Sequence, residues 1–299
     1  LQGDWSSDVC SSDLNILSFL PIISSKINFE LENAIKYFLV QSWASIIFLL
    51  RFFFLNYMNN LYLLMIISIF MKLGIAPFHI WFISILKTSS IYILIILSSI
   101  QKIIPLLILR NIKINLFFLL IFLLLNIFFT IIILPSTISL NKILALSSIN
   151  NIGWIIIRII ISNKLFFIFI FVYIHLLIGF FILYKTYKIN LFIQINRINF
   201  IDKLIIILLF ISLGGLPPLL GFLRKFLVIK FILIRINYIF SIILIFSSLY
   251  LLYFYISRMY FFLTYSPSIK ITIKINFIYI KKFLYLISLV SINIIFMFL

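Results

Sequence analysis

Four lysines stand inside long apolar runs of this 299-residue chain. Lys72 lies in "LYLLMIISIFMKLGIAPFHIWF" and Lys102 in "IYILIILSSIQKIIPLLIL", each near the middle of its run. Lys142 lies near the start of "ISLNKILALSSINNIGWIII", and Lys225 lies in "SLGGLPPLLGFLRKFLVI". A lysine at the centre of a bilayer costs about 2.5–3.5 kcal/mol on insertion scales. Lys72 and Lys102 have about two to three helical turns on either side, so they must face protein or a hydrated cavity.

The chemistry open to such lysines is the binding and release of protons. An ammonium group that loses its solvation can give up a proton near neutral pH, and a row of such groups at mid-membrane depth is what a proton relay needs. The structural alternative is that each lysine only pairs with carbonyl or hydroxyl groups of neighbouring helices. The sequence leaves that alternative open for all four lysines.

Helix-breaking residues stand beside two of these lysines. Breaks free backbone groups that lipid cannot satisfy, so they are tolerated where they line a polar cavity, and discontinuous helices mark ion sites in transporters. Proline kinks without any transport role are common, so a break alone is a weak signal. Its occurrence beside Lys72 and Lys225 predicts discontinuous helices near 72–79 and 214–225, with helix breaks at Gly74, Pro77, Gly214, Gly215, Pro217, Pro218 and Gly221.

The two histidines carry less information. His79 lies five residues beyond Gly74 and could extend a proton path from Lys72, whereas His175 fits a hydrogen bond between helices. Two isolated histidines and one cysteine make no metal site or cysteine-ligated cluster. The glycine spacing in "GGLPPLLG" differs from that of dinucleotide-binding loops. We therefore expect no metal, no nucleotide and no redox centre in this chain.

Composition determines the class of protein. The chain is 65% hydrophobic and only 10% charged, whereas soluble domains keep about a quarter of their residues charged. Its apolar runs are near the length that crosses a bilayer as a helix, and they do not alternate in polarity as membrane strands do. These features predict an all-α polytopic membrane protein with a partial span at 15–24 and nine complete spans at 34–55, 61–86, 91–109, 116–134, 138–162, 165–184, 204–233, 238–263 and 283–299.

The net charge of +18 is distributed singly rather than in clusters. Nucleic-acid binding requires basic residues gathered on one water-facing surface, so we expect no nucleic-acid partner. Basic residues concentrate in alternate connecting segments, and the positive-inside rule places these segments on the cytoplasmic or matrix side. The segments are 26–36, 87–90, 185–203 and 264–282, and the C-terminus is then expected on the opposite side. Asp202, one of the six acidic residues, is expected in a loop.

Several motifs resemble one known family. In this order, "MKLGIAPFHIWF", "IQKIIP", "LNKILALSSINNIGW" and "SLGGLPPLLGFLRKFLVI" resemble the antiporter-like subunit 2 of mitochondrial NADH dehydrogenase, complex I. The resemblance extends over about 15–299, which implies a single antiporter-like transmembrane domain there. It also implies one proton pathway, in which the family's lysines correspond to Lys72, Lys102, Lys142 and Lys225. Charge displaced by quinone chemistry elsewhere would change the proton affinity of each lysine in turn.

The resemblance also implies a cellular setting. NADH, FMN, iron–sulfur clusters and ubiquinone would be bound by other subunits, and the partners would be membrane-arm subunits of complex I and the lipid bilayer. The location would be the mitochondrial inner membrane, with the C-terminus in the intermembrane space. Two alternatives stay open: a stand-alone cation/proton antiporter component, and a truncated or mistranslated product without function.

The chain departs from the family pattern at several positions. Asn151 stands where the family usually has His, and three further departures are Ile100, Arg224 and Phe226 in place of Trp, Pro and Trp. Arg51 and Arg158 lie in apolar runs where the family has serine or apolar residues. We hypothesise that these two arginines are AGA codons, which invertebrate mitochondria read as serine. Ordinary arginines in the helix interior or near helix ends are the alternative, and the nucleotide sequence distinguishes the two.

The first fourteen residues, "LQGDWSSDVCSSDL", differ in composition from everything that follows. Residues 4–14 match the translation of a widely used sequencing-adapter oligonucleotide, so we expect 1–14 to be a non-native segment joined to a truncated reading frame. Asp13 then coincides by chance with the position of a family glutamate. On this interpretation the true first span and most of the second, including the family's glutamate, would lie upstream and are missing.

Overall fold

The computed structural model describes residues 28–54, 62–111, 116–161, 163–187, 189, 191–217, 219–235 and 238–264. Within these residues the chain is built from helices, and an isolated antiparallel bridge joins Ser139 to Leu191. In chain order the α-helices are α1 (Asn28–Phe54), α2 (Tyr62–Leu73), α3 (Ile80–Thr88), α4 (Ile91–Ser98), α5 (Ile100–Asn111), α6 (Leu116–Ile133), α7 (Leu140–Ile161), α8 (Asn163–Tyr187), α9 (Phe200–Gly214), α10 (Leu220–Arg235) and α11 (Tyr238–Thr264). Short 3₁₀-helices lie at Leu134–Ser136 and Phe192–Arg197.

Several of these helices are apolar on nearly every face. A helix satisfies its own backbone hydrogen bonds, which is why continuous apolar runs of this length adopt it in lipid. Five segments among the described residues are long and apolar enough to cross a bilayer: Leu31–Leu50, Ile91–Arg110, Leu140–Arg158, Phe166–Tyr187 and Ser241–Tyr260. The middle one, Leu140–Arg158, is 94% buried inside the protein, whereas the first and last are 33% buried.

The described residues form two compact units. The first contains the residues up to Ile133 together with Asn141–Ile160. In this unit α1 packs on α2 and α3, and α5 packs on α2 and α4. Phe70 of α2 meets Phe122 of α6 edge to face, with ring centroids 4.7 Å apart.

The second unit contains Leu134–Leu140 and the described residues from Ile161 onward. Here α9 packs on α8, α10 and α11. Phe210 of α9 is fully buried, and its ring lies 4.7 Å from Phe180, 5.6 Å from Phe192 and 5.4 Å from Tyr255. This aromatic cluster fixes α9, and with it the helix end that carries the second break.

Both predicted helix breaks are present. The run predicted at 61–86 is divided into α2 and α3, and the run at 204–233 into α9 and α10. The span predicted at 91–109 corresponds to Ile91–Arg110, which is long and apolar enough to cross a bilayer. Within it α4 ends at Ser98 and α5 begins at Ile100. The Ser99 hydroxyl donates to the Ile95 carbonyl at 2.5 Å, and a serine that bonds back in this way competes with the helix ladder.

Two further predictions concern the ends and one connection. The partial span at 15–24, the span at 283–299 and the segment 1–14 lie outside the described residues, so the number of spans and the single domain over 15–299 stay predictions. The placement of Asp202 in a loop is wrong. Asp202 lies in the first turn of α9, is completely buried, and accepts a hydrogen bond from the Tyr187 hydroxyl. A carboxylate in the first turn is favoured by the helix dipole.

Candidate functional site

The first helix break lies between α2 and α3, two residues beyond Lys72. Gly74 adopts a left-handed conformation with φ +65°, and a Cβ there would lie 2.8 Å from the Cβ of Phe82. Glycine is therefore required both by the backbone angle and by the approach of α3. The Ala76–Pro77 peptide is cis, and the Ala76 amide donates to the side-chain oxygen of Asn126 at 3.3 Å.

Lys102 is buried close to this break. Its side chain is 4% exposed, and its Nζ donates to the Ser148 hydroxyl of α7 at 3.0 Å. The same Nζ lies 4.2 Å from the centroid of the Phe82 ring, within the range in which an aromatic face stabilises a cation. Lys102 thus has two partners that come from two other helices.

Lys72 shares a small cavity with Lys102. Its side chain is half-buried, and its Nζ lies 5.6 Å from the centroid of the Phe48 ring. The cavity has room for about one water molecule. Besides the two lysines it is lined by Tyr37, Gln41, Trp81, Phe82, Leu97, Gln101 and Pro105. The structure therefore brings together two of the four lysines that the sequence singles out, next to the first break.

Lys142 and His79 are placed apart from this cavity lining. Lys142 is half-buried in the first turn of α7, six residues or about 9 Å of helix rise before Ser148. His79 is 4% exposed, and its ring centroid lies 4.8 Å from that of Phe129. The roles predicted for both residues stay predictions.

The second break separates α9 from α10. Gly215 follows α9 with φ +89°, and its amide and that of Leu216 both donate to the Ile211 carbonyl, at 2.9 and 3.3 Å. A left-handed glycine with such back-bonding is a common way for a helix to end. Pro217 lies exposed in the break, and Pro218 lies outside the described residues.

Two buried cations of α10 bind the carbonyl end of α9. The Lys225 Nζ donates to the Gly214 carbonyl at 2.6 Å, and the Arg224 Nη2 donates to the Leu213 carbonyl at 3.2 Å. The last carbonyls of a helix lack intrahelical partners and carry its negative dipole end, so cations there are favourable. The Arg224 guanidinium also lies 4.8 Å from the Phe169 ring centroid.

Two glycines allow the helices around the second break to touch. A Cβ on Gly221 would lie 1.4 Å from the Ser212 carbonyl oxygen, and a Cβ on Gly214 would lie 3.2 Å from Leu252. Small residues let helix backbones approach closely in membranes. Gly221, predicted as a breaker, therefore lies inside α10 and serves contact between α9 and α10.

Several site residues were not predicted from the sequence. Ser148 was visible only as part of the "SSI" motif, and no spacing rule connects it with Lys102, 46 residues away. Asn126 stood out only as one amide inside an apolar run. Arg158 is completely buried in α7, and the side chain of Arg51 lies outside the described residues. The codon hypothesis for these two arginines stays a prediction.

The described residues form apolar helices, and a lysine lies beside each of the two helix breaks. These features are typical of antiporter-like membrane proteins. The family model described as the transmembrane region of NADH:quinone oxidoreductases and Mrp antiporters matches residues 55–252. This chain belongs to that family. It is a helical membrane protein, as predicted.

Individual proteins agree with the family assignment. NADH-ubiquinone oxidoreductase chain 2 of Artemia franciscana is 40% identical over 104 residues, and the match covers 34% of this chain and 32% of that protein. A chain of respiratory complex I from Thermus thermophilus superimposes with a TM-score of 0.79 at 17% identity, covering 96% of this chain and 71% of the other. A chain of an archaeal membrane-bound sulfane sulfur reductase gives 0.76 at 15% identity, covering 94% and 66%. These structural likenesses establish the fold.

Proposed function

We propose that the chain is a membrane-arm subunit of a respiratory NADH:ubiquinone oxidoreductase and contributes one proton pathway to it. Membership of the NADH:quinone oxidoreductase and Mrp antiporter family supports this proposal, as does the name of the Artemia franciscana relative. The catalytic reaction would belong to the whole complex, because this chain offers proton-binding side chains and no predicted redox centre.

One observation carries the proposal: buried Lys102 is hydrogen-bonded to Ser148 and shares a cavity with Lys72. A primary amine and a hydroxyl both donate and accept, so a proton can pass between them or through a water molecule. The Phe82 ring stabilises the charged form of Lys102 without neutralising it. Such a group can hold a proton at membrane depth and release it when the local field changes.

The remaining members of the proposed pathway are Lys142, Lys225 and, as a possible relay, His79. The two lysines are included because the family's motifs carry lysines at these positions and because Lys225 is 4% exposed beside the second break. His79 is included because it lies five residues beyond Gly74 and could extend a proton path from Lys72. In the proposed mechanism, charge displaced by quinone reduction elsewhere alters the field at one lysine. The resulting proton transfer changes the charge that the next lysine experiences, since unit charges interact strongly where water is excluded.

The same proposal defines partners, cofactors and location. Other membrane-arm subunits and the lipid bilayer would surround the chain, and NADH, FMN, iron–sulfur clusters and ubiquinone would be bound elsewhere in the complex. The location would be the mitochondrial inner membrane, with the C-terminus in the intermembrane space.

Native isolation tests the proposal. Complexes extracted in mild detergent are separated under native conditions, stained for NADH oxidation, and probed for this chain. We expect the chain to migrate with the NADH-oxidising band, and migration only in a smaller band without that activity would contradict the proposal.

In an assembled complex, Lys72→Met is expected to lower the number of protons moved per NADH, and an unchanged ratio would remove Lys72 from the pathway.

A second candidate function is that of a stand-alone cation/proton antiporter component. The observation that favours this second function is the family description, which names Mrp antiporters beside NADH:quinone oxidoreductases. The two candidates differ in their energy source. Cation-driven proton movement in vesicles that contain the chain but lack NADH oxidation would favour the antiporter, whereas proton movement that requires NADH favours the respiratory subunit.

A further inference from the structure

Asn126 is a buried amide in the middle of the apolar helix α6. It is 1% exposed, and its neighbours in "LFFLLIFLLLNIFFTIII" are almost all apolar. A primary amide inside a membrane helix is unfavourable unless both its oxygen and its nitrogen find partners. The position therefore requires a reason beyond filling space.

The Asn126 side chain joins two other helical segments. Its oxygen accepts from the Ala76 amide at 3.3 Å, and its nitrogen donates to the Ile149 carbonyl at 2.9 Å. Ala76 lies in the break between α2 and α3, so its amide is outside the hydrogen-bond ladder of either helix. Ile149 lies in the middle of α7, and Gly153, one turn further on, lets α6 come close, because a Cβ there would lie 3.3 Å from Leu123.

Both partners of Asn126 are adjacent to the lysine site. Ala76 is four residues beyond Lys72, and Ile149 directly follows Ser148, whose hydroxyl accepts from Lys102. One side chain thus ties the segment that carries Lys72 to the segment that holds Lys102. Loss of either hydrogen bond would remove this link between the helix break and α7.

We propose that Asn126 is a positioning residue that sets the spacing of Lys72 and Lys102 around their shared cavity, an inference that rests on the proposed proton pathway. It acts through the two backbone groups it holds and touches neither lysine in the contacts described here. The competing explanation is that Asn126 only fills space. The two explanations differ for an aspartate at this position: a positioning role depends on whether the aspartate is protonated, and simple packing does not.

Two substitutions separate positioning from packing. Asn126→Leu keeps the branched arrangement of side-chain heavy atoms and removes both hydrogen bonds. Asn126→Asp keeps the shape, and its protonated form can accept from Ala76 and donate to Ile149, whereas the carboxylate cannot donate. Thr130→Val is the matched control: Thr130 is equally buried one turn along α6, and its hydroxyl bonds only its own helix at Ile127 in the contacts described.

The measurement is the rate of NADH-driven proton translocation by the assembled complex in membrane vesicles, over a range of pH and relative to the unmodified complex. Displacing a reacting group by about 1 Å can cost on the order of 100-fold in rate. We expect about tenfold slower proton translocation for Asn126→Leu at every pH. Asn126→Asp should approach the unmodified complex at low pH and lose translocation as the pH rises, while Thr130→Val should be unchanged. Hydrogen exchange at the Ala76 amide should accelerate in Asn126→Leu and not in the control.

Lys102→Met, measured in parallel, separates this inference from the proposed function. Normal translocation in Lys102→Met overturns the proton pathway itself. A defect in Lys102→Met with normal translocation in Asn126→Leu overturns only the positioning role. An Asn126→Asp variant whose behaviour does not depend on pH, or failure of both Asn126 variants to assemble at any pH, assigns the residue to packing and folding and also overturns it.

Discussion

The two buried lysines, Lys102 and Lys225, differ in the kind of group that binds them. Lys102 donates to a hydroxyl that comes from another helix 46 residues away, whereas Lys225 donates to a carbonyl at the end of the preceding helix, eleven residues away. A hydroxyl donates as well as accepts, but a carbonyl only accepts. The Ser148 hydroxyl donates to the Ala145 carbonyl of its own helix at 2.7 Å. When the lysine is neutral, this hydroxyl can turn to donate to the amine instead, so the Lys102 site can keep its hydrogen bond. At the Lys225 site the Gly214 carbonyl can only accept, so the hydrogen bond is kept only while Lys225 is the donor.

The two helix breaks next to these lysines are also satisfied differently. At the first break a side-chain amide, Asn126, accepts from the Ala76 amide. At the second, the Gly215 and Leu216 amides fold back on α9, and two cations bind its terminal carbonyls. Lys225 thus caps the end of α9, whereas Lys102 binds the Ser148 side chain, whose hydroxyl is not needed for the backbone hydrogen bonds of α7. The comparison predicts that changes at the second site affect assembly in addition to proton transfer, whereas changes at the first site mainly affect proton transfer.

The largest expected effect is that of Gly221→Ala. The added Cβ would lie 1.4 Å from the Ser212 carbonyl oxygen, so α9 and α10 would have to separate along their whole contact. We expect little or no chain in the assembled complex, measured by native gel and immunodetection. A normal amount of assembled complex would show that the close contact between α9 and α10 is not required.

Gly74→Ala should have a smaller effect on assembly. Its Cβ would lie 2.8 Å from the Cβ of Phe82, a smaller overlap than the 1.4 Å approach at Gly221, and the φ of +65° costs an alanine about 1 kcal/mol. We expect reduced but measurable assembly, with slower proton translocation because Phe82 also contacts Lys102. If Gly74→Ala prevents assembly as completely as Gly221→Ala, the first break is as rigid as the second and the comparison fails.

Lys225→Met should lower the stability of the assembled complex. The Gly214 carbonyl would lose its charged donor, and leaving a buried acceptor without it costs about 1–3 kcal/mol. The measurement is the midpoint of thermal dissociation, with Lys230→Met, an exposed lysine of the same helix, as the control. Equal midpoints for the two variants would argue against the capping role of Lys225.

Ser148→Ala should have the smallest effect. It removes the hydroxyl that Lys102 binds, a loss of about 1 kcal/mol that a water molecule can partly replace. We expect slower proton translocation with normal assembly. Ser147→Ala is the matched control, because the hydroxyl described for Ser147 bonds only its own helix at Leu144. Identical rates in the two variants would contradict a specific role for the Lys102–Ser148 contact.

Much of this fold follows from local sequence. Apolar runs predicted most helices, and the glycine and proline residues near Gly74 and Gly215 predicted both breaks, because these residues act on the backbone wherever they stand. The turn at Ser99 between α4 and α5 was not predicted, because the serine that bonds back to Ile95 there resembles serines that lie inside continuous helices.

The partners of the lysines could not be predicted in the same way. The bond from Lys102 to Ser148 depends on how α5 packs against α7, which no periodicity within either helix specifies. Asn126 is a similar case, since its partners are two backbone groups on other helices. Asp202 was assigned to a loop because the apolar run begins two residues later, but α9 starts before that run and buries the carboxylate.

The most direct test of the proposed function is the proton-to-NADH ratio of an assembled complex that carries Lys102→Met. Lys87→Met is the matched control, because Lys87 is an exposed lysine of α3 in the same unit. The proposed pathway predicts a lower ratio for Lys102→Met, with normal assembly and NADH oxidation still detectable, and an unchanged ratio for Lys87→Met. An unchanged ratio in a fully assembled Lys102→Met complex would contradict the proposal that this buried lysine carries protons.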